Sequence, residues 1–337
     1  YGTSVVDHIK ADFSNNIFGN QLDKALGFLN ITTAKQETVN TESQIDPDKP
    51  IVSSVGDGGV NKAADVKTIQ TNLILLGYLS NCDEVKDVLK MADDEVVVNM
   101  NNTIKAINLY QKYGLGVDPD GRVDPGGNTF TNMSARLTMI KEYESHTIET
   151  SAIDPVLTNS QWISQYVSDA SKNGEGRGLK ESEKAYEGKE NDICCWDASC
   201  AMVKQKGGNL KHEVTSRIPT LLQQNEEDIL LNKQAELGVK YIDKQLLAGK
   251  PVMIGVDDER HKVYNSDDTT EHFIVIMAKV VKENKVYYRF FDPGTVMGAD
   301  KGYNEENLLY LGNDFSLIGK KPGKDINYTM SQIRQNN

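Results

Sequence analysis

Long apolar runs, paired metal ligands and a cysteine framework are all missing from this sequence of 337 residues. No apolar run approaches the roughly 20 residues of a membrane-spanning helix, so we expect no membrane span. The spacings of a zinc site, such as paired C-x-x-C or clustered Cys and His, are also absent. The four cysteines do not form a disulfide framework for a chain of this length. We therefore predict no metal site and no bound cofactor.

Positive charge is also in deficit. The chain has 37 Lys and Arg against 49 Asp and Glu, a net charge of −12. This balance argues against a nucleic-acid partner and against binding to anionic lipid. The length suffices for two domains with cores of their own. Because the sequence begins at Tyr1 rather than Met, the lack of a signal peptide says nothing about location.

The pattern of apolar residues divides the chain into three parts. Residues 1–50 contain one amphipathic helix, about 17–29, and then a polar linker. Residues 51–148 form a small helical bundle, in which Asp65 is a plausible N-cap and Gly77 is suited to end the first helix. The helices of this bundle are expected at about 65–76, 103–113 and 128–143.

The bundle resembles the three-helix peptidoglycan-binding domain found beside bacterial cell-wall hydrolases. The residues that carry the resemblance are "DVKTIQTNLILLGYL" and "TIKAINLYQKYGLGVDPDGRVDPGGNTFTNM". The stretch 80–102 is longer and more acidic than that family's pattern. The resemblance implies a peptidoglycan ligand. A similar module also serves as an adaptor in effectors of contractile injection systems, and a plain helical spacer is the third alternative.

Residues 149–337 predict a second domain with a helix and an antiparallel sheet. The helix begins near Cys195 and ends at Gly207-Gly208. Apolar, β-branched runs at 252–256, 272–281 and 286–291 predict strands, and 216–222 and 227–247 look partly helical. The tail from 302 is expected to cover the sheet. The predicted class is therefore α+β, a helical bundle followed by a helix packed on an antiparallel sheet.

Three residues of this domain suit nucleophilic catalysis. The helix dipole at Cys195 lowers the thiol pKa and favours the thiolate, which is the nucleophile. His272 begins one predicted strand, and Asp292 ends the next. An imidazole can exchange the proton with the thiol and the leaving amine, and a carboxylate can fix the ring. Taken singly, Cys195 could be a buried structural cysteine, and Asp292 could be part of a simple Asp-Pro-Gly turn.

The same stretches resemble the papain-like cysteine peptidases, especially bacterial enzymes related to bacteriocin-processing peptidases. The resemblance lies in "CWDAS", "GKPVMIGV" and "EHFIVIMAK…YYRFFDPG". It implies that Cys195 is the nucleophile, His272 the general base and acid, and Asp292 the orienting residue. That family places a Gln shortly before the nucleophile to bind the oxyanion. No Gln stands there, so Asn191 is the expected donor, with the Cys195 N–H.

Several alternatives stay open. Cys194 is the rival nucleophile, although Trp196 directly after Cys195 favours the latter. His261 is the rival base, in a polar loop. Asp197 would oppose the low thiol pKa unless its carboxylate points outward.

Register gives a test of the His272–Asp292 pair. A two-residue turn at 283–284 would set Val275, not His272, opposite Asp292. Three residues of strand are about 10 Å, too far for a hydrogen bond. The pair therefore requires an odd-length loop or a β-bulge.

These observations predict a cysteine-dependent hydrolase of peptide or amide bonds, acting on the stem peptides of bacterial peptidoglycan. Such a protein would be secreted or periplasmic, or delivered into a rival cell as an antibacterial effector. Its partners would be peptidoglycan or a peptide, and a secretion apparatus or an immunity protein. The alternatives are a protease toxin with a protein target and a catalytically inactive papain-like binding protein.

Overall fold

The structure, a computed structural model, describes residues 49–148, 150–166, 176–184, 194–210, 216–224, 227–258, 269–295 and 302–336. The expected helix near 17–29 lies outside the described residues. Asp46–Asn337 form one compact unit, and the predicted division at 148 stays a prediction. None of the helices in the described ranges is both long and apolar enough to cross a membrane.

The helical part follows the predicted order. Its helices are α1 (Ala63–Leu75), α2 (Asp83–Lys90), α3 (Asn101–Leu109) and α4 (Asn128–Glu144). A π-helical turn, Tyr110–Leu115, extends α3. Gly77 has φ +84° and ends the first helix, as expected of a residue without Cβ. The acidic stretch 80–102 contains α2, which no apolar periodicity had indicated.

Two carboxylates fix the ends of these helices. Asp65 is not the N-cap that the sequence suggested, because α1 begins one turn earlier and Lys62 is its N-cap. The Asp65 carboxylate accepts the N–H of Val52 at 3.0 Å and so ties the incoming chain to the helix. Glu84 of α2 accepts the N–H of Thr103 at 2.9 Å, which satisfies a donor in the first turn of α3.

Most of the strands lie after residue 160 and form the second half of the chain. They are β1 (Val55–Gly56), β2 (Arg122–Val123), β3 (Ile163–Ser164), β4 (Arg177–Gly178), β5 (Arg217–Pro219), β6 (Leu221–Gln224), β7 (Glu227–Leu230), β8 (Val252–Asp257), β9 (His272–Lys282), β10 (Lys285–Phe291), β11 (Leu308–Leu311), β12 (Leu317–Lys320) and β13 (Asn327–Arg334). The principal sheet has the order β12-β11-β10-β9-β8-β13-β5. Two further helices, α5 (Cys195–Lys204) and α6 (Asn232–Leu247), pack against it.

The α+β class is confirmed, but the papain-like arrangement of a helix packed on an antiparallel sheet is wrong, because the sheet closes into a barrel of six strands. Strand β12 pairs with β11 on one side and with β13 on the other. Strand β13 is long enough that its first half meets β12 and its second half meets β5. The tail from 302 therefore supplies three strands of the barrel rather than a cover.

The prediction that 216–222 is partly helical is wrong. These residues form β5 and the start of β6, and 227–230 complete a hairpin with β6 before α6 begins. Ile218 and Thr220 are β-branched and buried, and pairing with β13 decides their conformation. Strands β8, β9 and β10 confirm the predicted runs.

Side chains alternate between two buried clusters on the two faces of the barrel wall. Ile274 and Ile276 belong to the cluster shared with α6. Phe273 and Val275 belong to the cluster shared with α5. Each such apolar side chain contributes about 1.5–3 kcal/mol on burial. A one-residue shift of β9 would exchange the two sets, so the register of this strand is strongly specified.

Candidate active site

Helix α5 begins at Cys195, as predicted. Two contacts fix the helix against the start of β9. Trp196 meets the ring of Phe273 edge to face, with centroids 5.0 Å apart. The Ser199 hydroxyl donates to the Phe273 carbonyl at 3.3 Å. Because Phe273 directly follows His272, these contacts hold the first turn of α5 beside that histidine.

His272 and Asp292 form a buried pair. Nε2 of His272 lies 2.7 Å from Oδ1 of Asp292, and the two residues are 6% and 0% exposed. Since Nε2 faces the carboxylate, Nδ1 is the ring nitrogen left for Cys195, whose thiol is hydrogen-bonded to His272. The structure thus brings together three of the four predicted catalytic residues.

A β-bulge makes the His272–Asp292 pair possible. The turn at 283–284 has two residues, both with positive φ, and it sets Arg289 opposite Ala278. The register then shifts, so that Phe291 pairs with Val275 instead of Ile276. The shift moves Asp292 to the face of the strand that carries His272. The sequence allowed either an odd-length loop or a β-bulge, and the structure contains the β-bulge.

Four groups hold Asp292. The Gly294 N–H donates to Oδ1 at 2.6 Å, and the Tyr328 hydroxyl donates to Oδ2 at 3.0 Å. The indole N–H of Trp162 donates to the Asp292 backbone carbonyl at 2.9 Å. With His272 on Oδ1, both carboxylate oxygens have donors. A buried carboxylate stays ionised only when it is compensated in this way.

The three groups adjust one another's pKa values. Burial alone would raise the pKa of Cys195, but the hydrogen bond and charge of His272, with the Phe273 and Trp196 N–H groups, lower it. Burial disfavours the imidazolium, yet Asp292 and Cys195 together raise the pKa of His272 to about 10. His272 in turn lowers the pKa of Asp292 against the effect of burial. These shifts all favour the state in which Cys195 is a thiolate, His272 an imidazolium and Asp292 a carboxylate.

The rival residues have other surroundings. Cys194 is 4% exposed and packs in the cluster shared with α5. Burial, with the Asp197 charge, raises the pKa of the Cys200 thiol to about 12. Asp197 is itself buried, so the outward position considered for it is wrong. Asn191 and His261 lie outside the described residues, and their predicted roles stay predictions.

Two residues at the site escaped the sequence reasoning. Tyr328, on a strand of the unassigned tail, gave no signal that it would reach Asp292. Gln165 follows β3, and its N–H donates to the Pro293 carbonyl at 2.9 Å, next to Asp292. Its Oε1 is buried and has no hydrogen-bond partner within the described ranges. A search for an oxyanion Gln further upstream of Cys195 would have found Gln165.

Gln165 lies along the helix that carries the thiol. Strand β3, which precedes it, packs against α5. At the far end of that helix, the Gln205 side-chain amide donates to the Gln161 carbonyl at 2.8 Å. The segment therefore runs along α5 toward the turn after Asp292.

Known proteins offer no guide to this site. Comparisons of the chain with protein families, with curated proteins and with solved structures each found no match. The geometry of the site therefore carries the functional inference.

The lowered pKa of the Cys195 thiol predicts the pH dependence of its alkylation. Iodoacetamide reacts with the thiolate, so the rate should reach its plateau below the usual titration range of a cysteine. In His272→Ala the inflection should move upward, because the groups that lower the thiol pKa are lost. One unit of pKa reduces the thiolate fraction about tenfold at neutral pH.

Peptide mapping by mass spectrometry resolves the rate at each cysteine. Cys82, which is partly exposed and distant in sequence, serves as the internal control. Equal pH profiles for Cys195 and Cys82 in the wild type would contradict the proposed thiolate.

Proposed function

We propose that this protein is a cysteine-dependent hydrolase of peptide or amide bonds, with Cys195 as nucleophile, His272 as general acid and base, and Asp292 as the orienting residue. One observation carries the proposal. The thiol at a helix N-terminus is hydrogen-bonded to an imidazole whose other nitrogen lies 2.7 Å from a fully buried carboxylate.

The reaction follows from the protonation states of these groups. The Cys195 thiolate attacks the carbonyl carbon, and the electron pair moves to the carbonyl oxygen. The His272 imidazolium then gives its proton to the leaving nitrogen as the C–N bond breaks, which leaves an acyl-thioester. Neutral His272 next takes a proton from water, whose oxygen attacks the thioester. Release of the acid restores the thiolate and the imidazolium.

The chain order and the use of the imidazole nitrogens support a relation to the papain-like cysteine peptidases. Cys195, His272 and Asp292 occur in that family's order, on a helix start and two neighbouring strands. The closed barrel departs from the papain-like arrangement, a helix packed on an antiparallel sheet, that the resemblance implied. The proposed relation therefore rests on the arrangement of the catalytic groups.

Gln165 fits the part of oxyanion donor that the family gives to a glutamine. It is 6% exposed and bonded to the Pro293 carbonyl beside Asp292. The Cys195 N–H is the natural second donor, because the first N–H groups of a helix have no intrahelical acceptor. Asn191 remains the alternative side-chain donor.

Gln165→Ala should lower kcat by about 100- to 1,000-fold, since an oxyanion donor acts mainly in the transition state. KM should change little, and the Cys195 alkylation profile should stay as in the wild type. Asn191→Ala is the matched amide control and should retain most of the activity. If instead Asn191→Ala lost the activity and Gln165→Ala kept it, the donor would be Asn191.

For the substrate we propose the stem peptides of bacterial peptidoglycan. The helical part supports this choice, because α1, α3 and α4 occupy the stretches that resemble the peptidoglycan-binding domain. In that part, hydrogen bonds fix the Asp120–Gly121 turn at the surface. The backbone N–H groups of Asp120 and Gly121 both donate to Gln111 Oε1 at 3.0 Å. A secreted or delivered antibacterial enzyme would use both parts on the wall of a target cell.

Muropeptide analysis of purified sacculi tests the substrate: the sacculi are treated with the protein and then with a muramidase, which cuts the glycan and makes the muropeptides soluble. The wild type and Cys194→Ala, the neighbouring-thiol control, should both cut the stem peptides, and Cys195→Ala should leave them intact. The products separate by chromatography, and their masses show which amide bond was cut.

Two other outcomes would reassign the protein. Casein cleavage without cleavage of the stem peptides would favour a protease toxin with a protein target. Failure of the wild type on both substrates, with no enhanced alkylation of Cys195, would favour an inactive binding protein.

A further inference from the structure

A cluster of buried cationic and phenolic groups lies where the helical part meets β5. We call Tyr78, Tyr110, Arg136 and Arg217 the junction cluster. Arg136 belongs to α4, Tyr78 follows α1, and Arg217 begins β5. Arg136 is 3% exposed, although arginine is among the residues that are almost never fully buried without a partner.

Donors in this cluster lack protein acceptors. Nη1 and Nη2 of Arg136 are both buried, and neither has a hydrogen-bond partner in the described part of the chain. The same is true of the Tyr78 hydroxyl. Tyr110 differs, because its hydroxyl donates to Asn132 Oδ1 at 2.6 Å. The unused donors thus belong to residues from two different elements, and α1, which Tyr78 follows, packs against α4, which carries Arg136.

The charge of Arg136 is not balanced by a carboxylate of the described residues. Burial lowers the pKa of Arg136, the neighbouring tyrosines oppose that shift, and repulsion from Arg217 adds to it. A guanidinium nevertheless stays protonated in proteins. Burying it without a counter-charge is costly. Among the described residues no carboxylate forms an ion pair with Arg136.

Close packing limits what could supply the counter-charge. A Cβ added at Gly114 would come within 2.8 Å of the Tyr110 ring and 3.3 Å of the Tyr78 hydroxyl. The Tyr110 ring and the Tyr78 hydroxyl therefore lie directly against the backbone of the π-helical turn. Such a tight environment favours a monatomic anion over a phosphate or a sulfate.

We infer that the junction cluster binds a halide, with chloride as the physiological ion. The ion accepts hydrogen bonds from Arg136 Nη1 and Nη2 and from the Tyr78 hydroxyl, and it screens the repulsion between Arg136 and Arg217. Arg217 also donates to the Tyr113 carbonyl, so β5 is already bonded to the helical part at this point. The bound ion stabilises the packing of the helical part on the barrel, independently of any catalytic activity.

Thermal unfolding of the full chain tests the site. The melting temperature is measured in sodium chloride and in sodium gluconate at equal ionic strength, because gluconate is too large for the cluster. An ion that binds only the folded state multiplies the folding constant by 1 + [chloride]/Kd, about tenfold at ten times Kd. Equal melting temperatures in the two salts at every concentration would overturn the proposal.

Matched variants locate the effect. Tyr78→Phe removes one donor and should weaken the chloride dependence several-fold. Tyr110→Phe, which removes the hydroxyl already used by Asn132, should lower stability but keep the wild-type dependence. Arg136→Met should abolish the dependence; if it fails to fold, the two tyrosine variants decide. A chloride response that Tyr78→Phe leaves unchanged would place the ion elsewhere.

A bromide derivative gives a direct reading. Crystals grown in sodium bromide should show an anomalous peak between Arg136 and Tyr78. Absence of that peak, with ordered water in its place, would contradict the halide site.

Discussion

The ionised Asp292 carboxylate, fully buried beside His272, is the interaction on which the site depends. Removing a carboxylate from water is costly unless donors surround it. Here the backbone N–H of Gly294, the Tyr328 hydroxyl and His272 supply those donors. Because the carboxylate stays charged, it favours the imidazolium, and the imidazolium favours the thiolate. The lowered pKa of Cys195 therefore depends on a residue outside its own helix, directly after β10.

The architecture of the barrel positions the groups around Asp292 and His272. The bulge in β9 and β10 turns Asp292 to the face that carries His272. Closure of the ring by β12 and β13 brings Tyr328 to the other carboxylate oxygen. Trp196 and Phe273 fix the helix that bears the thiol. Each element that positions a catalytic group is thus also part of the apolar packing that stabilises the fold.

Local signals were enough to predict the helix start at Cys195, the strands at 252–256, 272–281 and 286–291, and the helices α1, α3 and α4 of the bundle. These features depend on periodicity and on end signals such as Gly77, which act over a few residues. The need for a bulge also followed from counting residues along the hairpin. The sequence could not decide between a β-bulge and an odd-length loop, because that choice depends on both the turn geometry and the strand pairing.

Long-range pairing accounts for what the sequence did not predict. Residues 216–222 looked helical, and only the partner strand β13 makes part of them extended. The barrel closes through the tail, whose apolar residues have no clear period. Tyr328 and Gln165 reach the site from parts of the chain far from Cys195, and nothing in their immediate neighbours marks them.

The protonation state of His272 tests the account most directly. Its imidazole ¹³C and ¹⁵N shifts can be followed by NMR through a pH titration of protein with labelled histidine, and His272→Gln assigns the signals. We predict an imidazolium throughout the neutral range that loses its proton only near pH 10. An imidazole that titrates near pH 6.5, as in an unperturbed histidine, would show that no thiolate–imidazolium pair exists at this site.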